Sequence, residues 1–416
     1  LKKDLVNKKK KLYISDQKLI DNVDFLLRNS ITNQMLADVP VGAFLSGGID
    51  SSLVVSIMQS ISSKKIKTFS LGFDEKEYDE TPYAKNIAKY LGTDHTEYKL
   101  TSEEAIKIIN NLPNIYDEPF SDVSQIPMAV ISKIARKRVK VCLSGDGGDE
   151  LFGGYNRYIY GANLWNFLKY FPLYMRTILA KLILKIPFSR IEKFLRLLSL
   201  SKLFKWELNL LGLKSQKFAN FLTSKNISEI YSKVAFTNNI EDIFIDKNNL
   251  HLVNSDIECL SNLDSSHNMM YLDMKTYLPD DVLFKVDRAA MHSSLETRLP
   301  MLDIRLMDYA WQIPISKKIK ILKGKWVLRK LLKRYLPTHL FQRPKSGFSV
   351  PIGEWLKGPL KEWAEELIDS NRLKNEAFFN HDAVHKKWQE HLTGKKDWSN
   401  LIWSILIFQI WLKQNK

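Results

Sequence analysis

Along the first 143 residues, segments typical of buried strands alternate with segments in which apolar residues recur every three or four positions. The strand-like segments lie at 41–45, 67–73, 95–100 and 139–143, and the helical periodicity lies at 21–37, 51–61, 78–91 and 124–137. Alternation of this kind is typical of a doubly wound parallel sheet, whose ligands bind outside the carboxyl ends of the strands. We therefore expect an α/β fold with such a sheet and extensive additional helices.

From about residue 161 the pattern changes to long helical periodicities rich in Leu, Phe, Trp and Lys, as at 163–182 and 191–213. Basic amphipathic helices invite a hypothesis of membrane-surface contact. Lysines that cover apolar surface with their stems while their charges face water are the simpler interpretation. We expect three parts: an α/β core at 1–160, a helical insertion at 161–268 and a C-terminal helical part at 269–416.

The apolar run at 401–412 is about a dozen residues long. A membrane-spanning helix needs about 20 such residues, so we expect this run to form a buried core helix and predict no membrane span.

Composition narrows the class of protein. The 416 residues suffice for two domains, and the hydrophobic (45%) and charged (26%) fractions are ordinary for a globular protein. The net charge of +16 is less ordinary, but the basic residues are spread along the chain. This distribution favours a general lysine bias plus a nucleotide site over nucleic-acid binding. Two cysteines make a disulfide framework implausible and suit the reducing cytoplasm.

A glycine-rich segment, SGGIDSS at 46–52, lies between a predicted strand and a predicted helix. Glycines after a strand let backbone N–H groups approach an anion, and the helix N-terminus adds positive potential. The hydroxyls of Ser46, Ser51 and Ser52 suit phosphate oxygens, and Asp50 suits a Mg²⁺ ion that bridges those oxygens. No Lys-Ser or Lys-Thr pair follows Gly47 and Gly48, so the segment is not a Walker loop.

A second glycine-rich segment, SGDGGDELFGG at 144–154, follows the predicted strand at 139–143. Its many glycines and carboxylates contribute little to a packed core, which favours a functional loop. A plain acidic surface turn is the weaker interpretation. We expect Asp149 to share the Mg²⁺ ion with Asp50, and Asp146 to face the reacting substrate.

Further short motifs accompany these two segments in a fixed order. They are TFSLGF at 68–73, KVDR at 285–288, ETRLPMLD at 296–303, KWVLRK at 325–330, RPKSGF at 343–348 and the closing pattern of Trp388, His391, Gly394, Asp397, Trp403 and Trp411. A single motif could be a coincidence, but the ordered set spans nearly the whole chain. It resembles the synthetase domain of glutamine-dependent asparagine synthetases.

The resemblance implies an adenine nucleotide alpha hydrolase-like fold in which 46–52 is the pyrophosphate-binding loop (PP-loop) of N-type ATP pyrophosphatases. It implies ATP and Mg²⁺ as cofactors, with Asp50 and Asp149 as metal ligands. Lys345 matches the lysine that contacts the phosphates and the adenylate, and Asp146 lies where one subgroup carries Glu. The positions that match adenosine contacts are Phe44, Leu71, Ser144 and Gly145.

The reaction implied by the resemblance has two steps. The side-chain carboxylate of aspartate attacks the α-phosphorus of ATP, which releases pyrophosphate and gives an acyl-adenylate. Ammonia then displaces AMP to give asparagine. Other members of the family act on other carboxylates, such as a sugar acid, a lasso-peptide precursor or a β-lactam precursor. Relatives that form β-lactams tend to carry Tyr at the position of Asp146, so the acid here argues against ring closure.

Full-length members begin with a glutaminase domain whose N-terminal cysteine makes ammonia from glutamine. No cysteine precedes Cys142, which falls in a predicted buried strand. We expect either a C-terminal piece of a glutamine-dependent enzyme, which the Leu1 start favours, or a chain that uses free ammonia or another chain's glutaminase. A homodimer stays open, as does a structural rather than catalytic role for Asp287, Arg288 and Arg298. A non-catalytic scaffold is disfavoured, because neither glycine-rich segment nor Lys345 is degenerate.

Overall fold

The computed structural model describes residues 14–75, 77–185, 218–235, 242–246, 260, 263–342 and 350–415. The chain forms two compact units. The first unit comprises 1–154, 239–250 and 273–416, and the second comprises 155–238 and 251–272. The three-part organisation expected from the sequence, with boundaries at 160 and 268, stays a prediction.

The first unit is built on a five-stranded sheet in which every neighbouring pair is parallel. The strands are β1 (Val41–Phe44), β2 (Lys67–Phe73), β3 (Asp94–Leu100), β4 (Val141–Leu143) and β5 (Glu296–Arg298). Their order is β3-β2-β1-β4-β5. This arrangement confirms the predicted α/β class. The hydrophobic pattern did not predict β5, because the strand is three residues long and consists only of polar residues.

Helices complete the first unit and lie on both faces of the sheet. They are α1 (Asp16–Gln34), α2 (Ile49–Ile61), α3 (Thr81–Leu91), α4 (Ser102–Ile109), α5 (Leu112–Tyr116), α6 (Gln125–Arg136), α7 (Gly148–Phe152), α8 (Phe284–His292), α9 (Ile304–Gln312), α10 (Ile315–Lys318), α11 (Trp326–Leu332), α12 (Thr338–Phe341), α13 (Ile352–Lys357), α14 (Lys361–Leu367), α15 (Ser370–Glu376), α16 (His381–Leu392) and α17 (Ser399–Asn415). A π-helical turn at Leu278–Leu283 precedes α8, and a 3-10 turn at Pro300–Leu302 follows β5.

Two apolar cores separate the sheet from these helices. Side chains alternate between the faces of a strand, so in β4 Cys142 packs into one core while Val141 and Leu143 pack into the other. Burial on both faces explains why β1 and β4 are continuous apolar runs in the sequence.

The C-terminal helix α17 belongs to the core. Its residues Ile402, Trp403 and Leu406 are completely buried, as predicted for the apolar run at 401–412. Among the described residues, no helix is both long enough and apolar enough to cross a membrane.

The second unit is helical where it is described. The single helix predicted at 163–182 is two helices, Ala162–Leu168 and Leu173–Lys185. Pro172 lies between them, and a proline removes a backbone donor and clashes with the preceding turn. The helix predicted at 191–213 lies outside the described residues.

Arg298, at the end of β5, has the structural role that the sequence left open. Its guanidinium donates hydrogen bonds to the carbonyl oxygens of Gln34 (2.6 Å) and Leu36 (2.8 Å). It also pairs with Glu296. These contacts tie the end of α1 to the edge of the sheet. Asp287 and Arg288 form a solvent-exposed pair at 3.8 Å on α8, where no contact assigns them a catalytic role.

Candidate active site

The two glycine-rich segments begin side by side at the carboxyl edge of the sheet. β1 and β4 are neighbours, with Ala43 paired to Leu143. The chain continues from β1 to β2 on one side of the sheet, whereas β4 lies on the other side of β1. The crevice between β1 and β4 is therefore a topological switch point, the place where ligands of open α/β sheets bind.

The first loop is closed by its own serines. The hydroxyls of Ser46 and Ser51 lie 3.0 Å apart, and the N–H groups of Ser46 and Gly48 donate to the Ser51 and Ser46 hydroxyls at 3.3 and 3.2 Å. Gly47 has φ of 76°, the left-handed region that glycine adopts without strain. These contacts bring the loop directly into α2, whose N-terminus points its backbone N–H groups and positive dipole end at the crevice.

Close backbone approaches join the second loop to the first. A Cβ atom added to Gly145 would lie 2.7 Å from the backbone nitrogen of Ser51, and one added to Gly148 would lie 2.6 Å from Cγ of Asp50. Such distances exclude any larger residue without rearrangement. The segments that the sequence suggested separately therefore form one surface.

Lys325 is the residue that joins the two predicted metal ligands. Its ammonium forms a salt bridge with Asp149 at 2.8 Å and a second one with Asp50. The lysine side chain keeps only 8% of its surface exposed. Burial alone would lower the pKa of Lys325, but the charges of Asp149 and Asp50 outweigh it and raise the pKa above its usual value. Lys325 is therefore a fixed positive charge at the centre of the crevice.

Glycines allow Lys325 to reach this position. A Cβ atom on Gly324 would lie 2.1 Å from the carbonyl oxygen of Gly153, and one on Gly154 would lie 2.3 Å from Cε of Lys325. The Lys325 backbone has φ of 58° and its N–H donates to the carbonyl oxygen of Phe152 at 3.1 Å. The lysine thus stands in the left-handed region at the start of α11, so the segment before α11 is fixed against α7.

The sequence interpretation used KWVLRK only as evidence of resemblance and assigned no role to Lys325. A signal was present, since Gly324 directly precedes this lysine and a helix start follows it. Glycine next to a basic residue at a helix start is a common arrangement, and nothing in the local pattern linked it to Asp50, 275 residues away.

Asp146 lies in the second loop, where Ser144 supports it. The Ser144 hydroxyl donates to its Oδ2 at 2.6 Å, and the Ser144 N–H donates to the carbonyl oxygen of Arg298 at 2.9 Å. Burial raises the pKa of Asp146, although the Ser144 hydrogen bond and the charge of Lys285 partly offset this. Its carboxyl group is thus more basic than an exposed aspartate.

A charged cluster involving Lys285 adjoins Asp146. The Lys285 ammonium lies 2.6 Å from Oδ2 of Asp122 and 3.6 Å from Oδ1 of Asp281. Burial opposes ionisation of Asp122, but the lysine outweighs it and lowers the pKa of Asp122 to about 2. Burial and the charge of Asp122 raise the pKa of Asp281 to about 7. The sequence interpretation named neither acid, because each stands in a separate loop or turn.

The remaining predicted residues are placed as follows. Phe44 ends β1 and pairs with Phe69 of β2, so Leu71 lies two residues beyond that pair, level with the first loop. Ser52 is completely buried on the inner side of α2. Lys345 lies outside the described residues.

The donor set of Asp50 and Asp149 suits magnesium. Both carboxylates converge on one point, which Lys325 marks, and Mg²⁺ favours one or two carboxylates with water and phosphate oxygens as its other ligands. Across the described part of the chain, no group of three or more His, Cys, Asp or Glu side chains forms a metal cluster.

The sequence matches the asparagine synthase family over residues 22–413. It is 32% identical over 415 residues to "Asparagine synthetase [glutamine-hydrolyzing] 1" of Bacillus subtilis, a match that covers 97% of this chain and 60% of that protein. It is 31% identical over 399 residues to a putative asparagine synthetase [glutamine-hydrolyzing] of Mycobacterium bovis, covering 95% and 58%. A more distant relative, "Amidase chyE" of Penicillium rubens, is 23% identical over 434 residues, covering 95% and 62%.

The chain spans about 60% of the length of the curated synthetases that it matches. The family match extends over nearly all of its own residues, across the sheet, both glycine-rich loops and the lysine between them. The chain belongs to the asparagine synthase family.

Proposed function

We propose that the chain is the synthetase part of a glutamine-dependent asparagine synthetase, a ligase that forms a C–N bond. In this proposal it uses ATP to adenylate the side-chain carboxylate of aspartate, and ammonia then displaces AMP. The observation that carries the proposal is the convergence of Asp50, Asp149 and Lys325 at the sheet's switch point in a chain of this family.

The chemistry explains why these charges are needed. A carboxylate is a poor acyl donor, since its leaving group would be oxide, and adenylation supplies a better one. Negative charge then develops on the departing pyrophosphate. Lys325 offers a positive charge that is already fixed, and the N-terminus of α2 offers backbone N–H donors at the same edge of the sheet. Removing one such partner typically costs about 10²–10³ in rate.

Asp50 and Asp149 would hold Mg²⁺ together with phosphate oxygens. When bound, the ion neutralises charge on the phosphates. Lys325 keeps the two carboxylates together, which preserves their spacing. Phe44, Leu71, Ser144 and Gly145 would line the adenosine subsite, and Ser46, Gly47, Gly48, Ser51 and Ser52 would bind the pyrophosphate. Lys345 would contact the phosphates and the adenylate.

Asp146 would act on the substrate side of the crevice. Its raised pKa suits a group that accepts a proton from the nitrogen nucleophile. The hydrogen bond from Ser144 fixes its orientation, because the Ser144 backbone is itself tied to β5.

The test is aspartate-dependent ATP–pyrophosphate exchange, followed by AMP formation with ammonium chloride. We expect both with aspartate and neither with a D50N variant. If pyrophosphate exchange fails with aspartate but proceeds with another carboxylic acid from a panel, that acid and not aspartate is the substrate. The amidase-named relative makes a related amidotransferase the second candidate, acting on a sugar acid, a lasso-peptide precursor or a β-lactam precursor.

We further propose that these 416 residues use ammonia and do not hydrolyse glutamine. A glutaminase domain or subunit would supply the ammonia. Cys142 supports this, since it is buried in β4 and burial raises the pKa of its thiol well above the usual value. Glutamate release from glutamine by the purified chain would contradict the proposal. A homodimer, a cytoplasmic location and the domain boundaries at 160 and 268 remain parts of the same proposal.

A further inference from the structure

The helix Leu173–Lys185 of the second unit turns an apolar face to the solvent. The residues of this face keep between 47% and 66% of their surface exposed, and they are Tyr174, Met175, Ile178, Leu179 and Leu182. At 3.6 residues per turn they cover an arc of about 140°. An apolar stripe of such width on a surface helix normally faces the core, so the orientation of this helix is inverted.

Arg176 fixes which side of the helix faces the protein. Its side chain is buried, and its guanidinium donates hydrogen bonds to the carbonyl oxygens of Phe171 (3.0 Å), Leu222 (3.3 Å) and Ser224 (2.7 Å). Ala180, one turn later, is buried on the same side. A rotation that buried the apolar face would separate a desolvated guanidinium from these acceptors, which is costly. The exposure of the apolar face is therefore built into the second unit.

The exposed apolar surface continues into the turn before this helix. Phe167, Tyr170 and Phe171 are exposed, and the ring centroids of the two phenylalanines lie 5.0 Å apart. Among the described residues, almost half of the large hydrophobic side chains that are exposed lie within 160–182. Single exposed apolar residues are ordinary, but a concentration of this kind marks an interaction surface.

The charge around this surface is positive only. The sequence has no Asp or Glu between Glu150 and Glu192. Lys169 lies in the turn, with its ammonium 5.3 Å from the ring centroid of Tyr170, and Lys181 borders the apolar face of the helix; both lysines are exposed. An apolar stripe with lysines at its border and no carboxylate is the composition of a helix that lies in the interface of an anionic bilayer.

Other occupants fit this surface less well. The cores of protein–protein interfaces are depleted in lysine. In a symmetric dimer the same patch meets itself, so Lys169 and Lys181 would face an equally positive surface. The helix has 13 residues, and a membrane span needs about 20, so contact with a bilayer means lying on it.

We propose that the second unit binds the surface of a membrane rich in anionic phospholipids through the helix Leu173–Lys185 and the turn before it. The apolar face enters the boundary between headgroups and acyl chains. Lys169 and Lys181 pair with lipid phosphates, and the hydroxyls of Tyr170 and Tyr174 stay at the level of the headgroups. Such peripheral contact is compatible with a cytoplasmic location, because the cytoplasmic leaflet is anionic. The inference is independent of the proposed function.

The test is co-sedimentation of the full chain with vesicles of phosphatidylglycerol and phosphatidylcholine in equal parts, compared with phosphatidylcholine alone. We expect the wild type to bind the anionic vesicles at least about fivefold more tightly, the contribution of one lysine near the surface. Ile178→Glu should weaken binding to the anionic vesicles by at least about tenfold, since it removes one inserted aliphatic side chain. Lys181→Gln should weaken it about fivefold.

Ile304→Glu is the matched control, because Ile304 is an exposed isoleucine on α9 in the first unit. This variant should bind vesicles as the wild type does, and an unchanged Tm shows that each variant is folded. No co-sedimentation of the wild type, or equal binding to the two kinds of vesicle, would overturn the inference. Wild-type binding by I178E would show that net charge alone attracts the chain, and would overturn it too. A dimer that I178E dissociates, in a wild type that binds no vesicles, would assign the face to a second copy instead.

Discussion

Gly145 and Ser51 approach each other so closely that a Cβ atom on Gly145 would lie 2.7 Å from the backbone nitrogen of Ser51. The contact joins the loop after β4 to the first turn of α2, two segments almost a hundred residues apart in sequence. It also fixes how far Asp149 lies from Asp50, since each acid stands a few residues from the contact. The spacing of the two carboxylates is therefore set by backbone packing before any ligand binds.

Gly145→Ala should disturb this spacing. The added methyl group cannot be accommodated without moving one loop, and overpacking of this kind costs about 1–3 kcal/mol of stability. A displacement of the reacting groups by about 1 Å can cost 10²-fold in rate, so we expect pyrophosphate exchange to fall by at least about tenfold. Urea unfolding and the exchange assay measure the two effects.

Gly353→Ala is the matched control for that substitution. Gly353 lies in α13, and the nearest atom to an added Cβ would be 3.6 Å away, an ordinary contact. Replacing a helical glycine by alanine should leave stability unchanged or raise it by about 0.5–1 kcal/mol. Equal behaviour of the two alanine variants would mean that the Gly145 contact does not constrain the loops.

Lys325→Met should lower the free energy of unfolding, because it removes the cation that lies between the carboxylates of Asp50 and Asp149. Breaking a buried ion pair by removing one partner typically costs about 3–5 kcal/mol, and the Lys325 side chain is 8% exposed. Lys323→Met, at an exposed position two residues earlier, should cost little. Chemical unfolding of both variants without added metal gives the comparison.

The same variant tests the affinity of Asp50 and Asp149 for a cation. Magnesium chloride at millimolar concentration should raise the Tm of K325M by more than it raises that of the wild type, since the two carboxylates have lost their fixed partner. If magnesium chloride raises the Tm of K325M no more than it raises the Tm of the wild type, Asp50 and Asp149 are not metal ligands.

The sequence predicted most of the sheet because β1 and β4 are buried on both faces and appear as continuous apolar runs, whereas apolar and polar residues alternate in β2 and β3. It placed both glycine-rich loops correctly at strand ends for the same reason. It could not predict β5, since a three-residue strand at the sheet edge has no periodicity of its own. It also missed the break between two helices at Pro172. The helical spacing of apolar residues continues through this position, although the proline interrupts the helical backbone.

The sequence suggested site residues only where they lie close in the chain to a glycine-rich segment. The roles of Asp50, Asp149 and Asp146 were suggested by glycines beside them, but Lys325 and Lys285 depend on contacts with residues more than 160 positions away. Lysines are abundant in this chain, with 62 basic residues in total, so lysine type alone does not distinguish a buried partner of two carboxylates from a solvated surface group.

Lys345→Ala should abolish aspartate-dependent ATP–pyrophosphate exchange while leaving the fold intact. The expectation follows from the family motif RPKSGF, and loss of one fixed charge that stabilises the transition state typically costs about 10²–10³ in rate. Exchange at the wild-type rate would show that Lys345 has no role in adenylation. The intact fold is checked by a Tm within about two degrees of the wild type, which corresponds to a change in stability of less than about 0.5–1 kcal/mol.

The protonation of Asp281 predicts a pH-dependent contribution to stability. Its pKa is raised from 3.8 to about 7 in the fold, so between these values the folded protein binds the proton more tightly than the unfolded chain does. The contribution of Asp281 is therefore fully present below about pH 4 and is lost as pH rises through 7. In D281N this dependence disappears, because the amide does not titrate.

The difference in unfolding free energy between the wild type and D281N should consequently fall by more than about 1 kcal/mol between pH 4.5 and pH 8, the equivalent of roughly one pKa unit. Urea unfolding of both proteins across this range measures the difference, and groups that titrate alike in both cancel. Asp122 does not interfere, since its pKa of about 2 keeps it ionised throughout. A difference that stays constant with pH would show that Asp281 is ionised in the folded protein already at pH 5, and the raised pKa assigned to Asp281 would then be wrong.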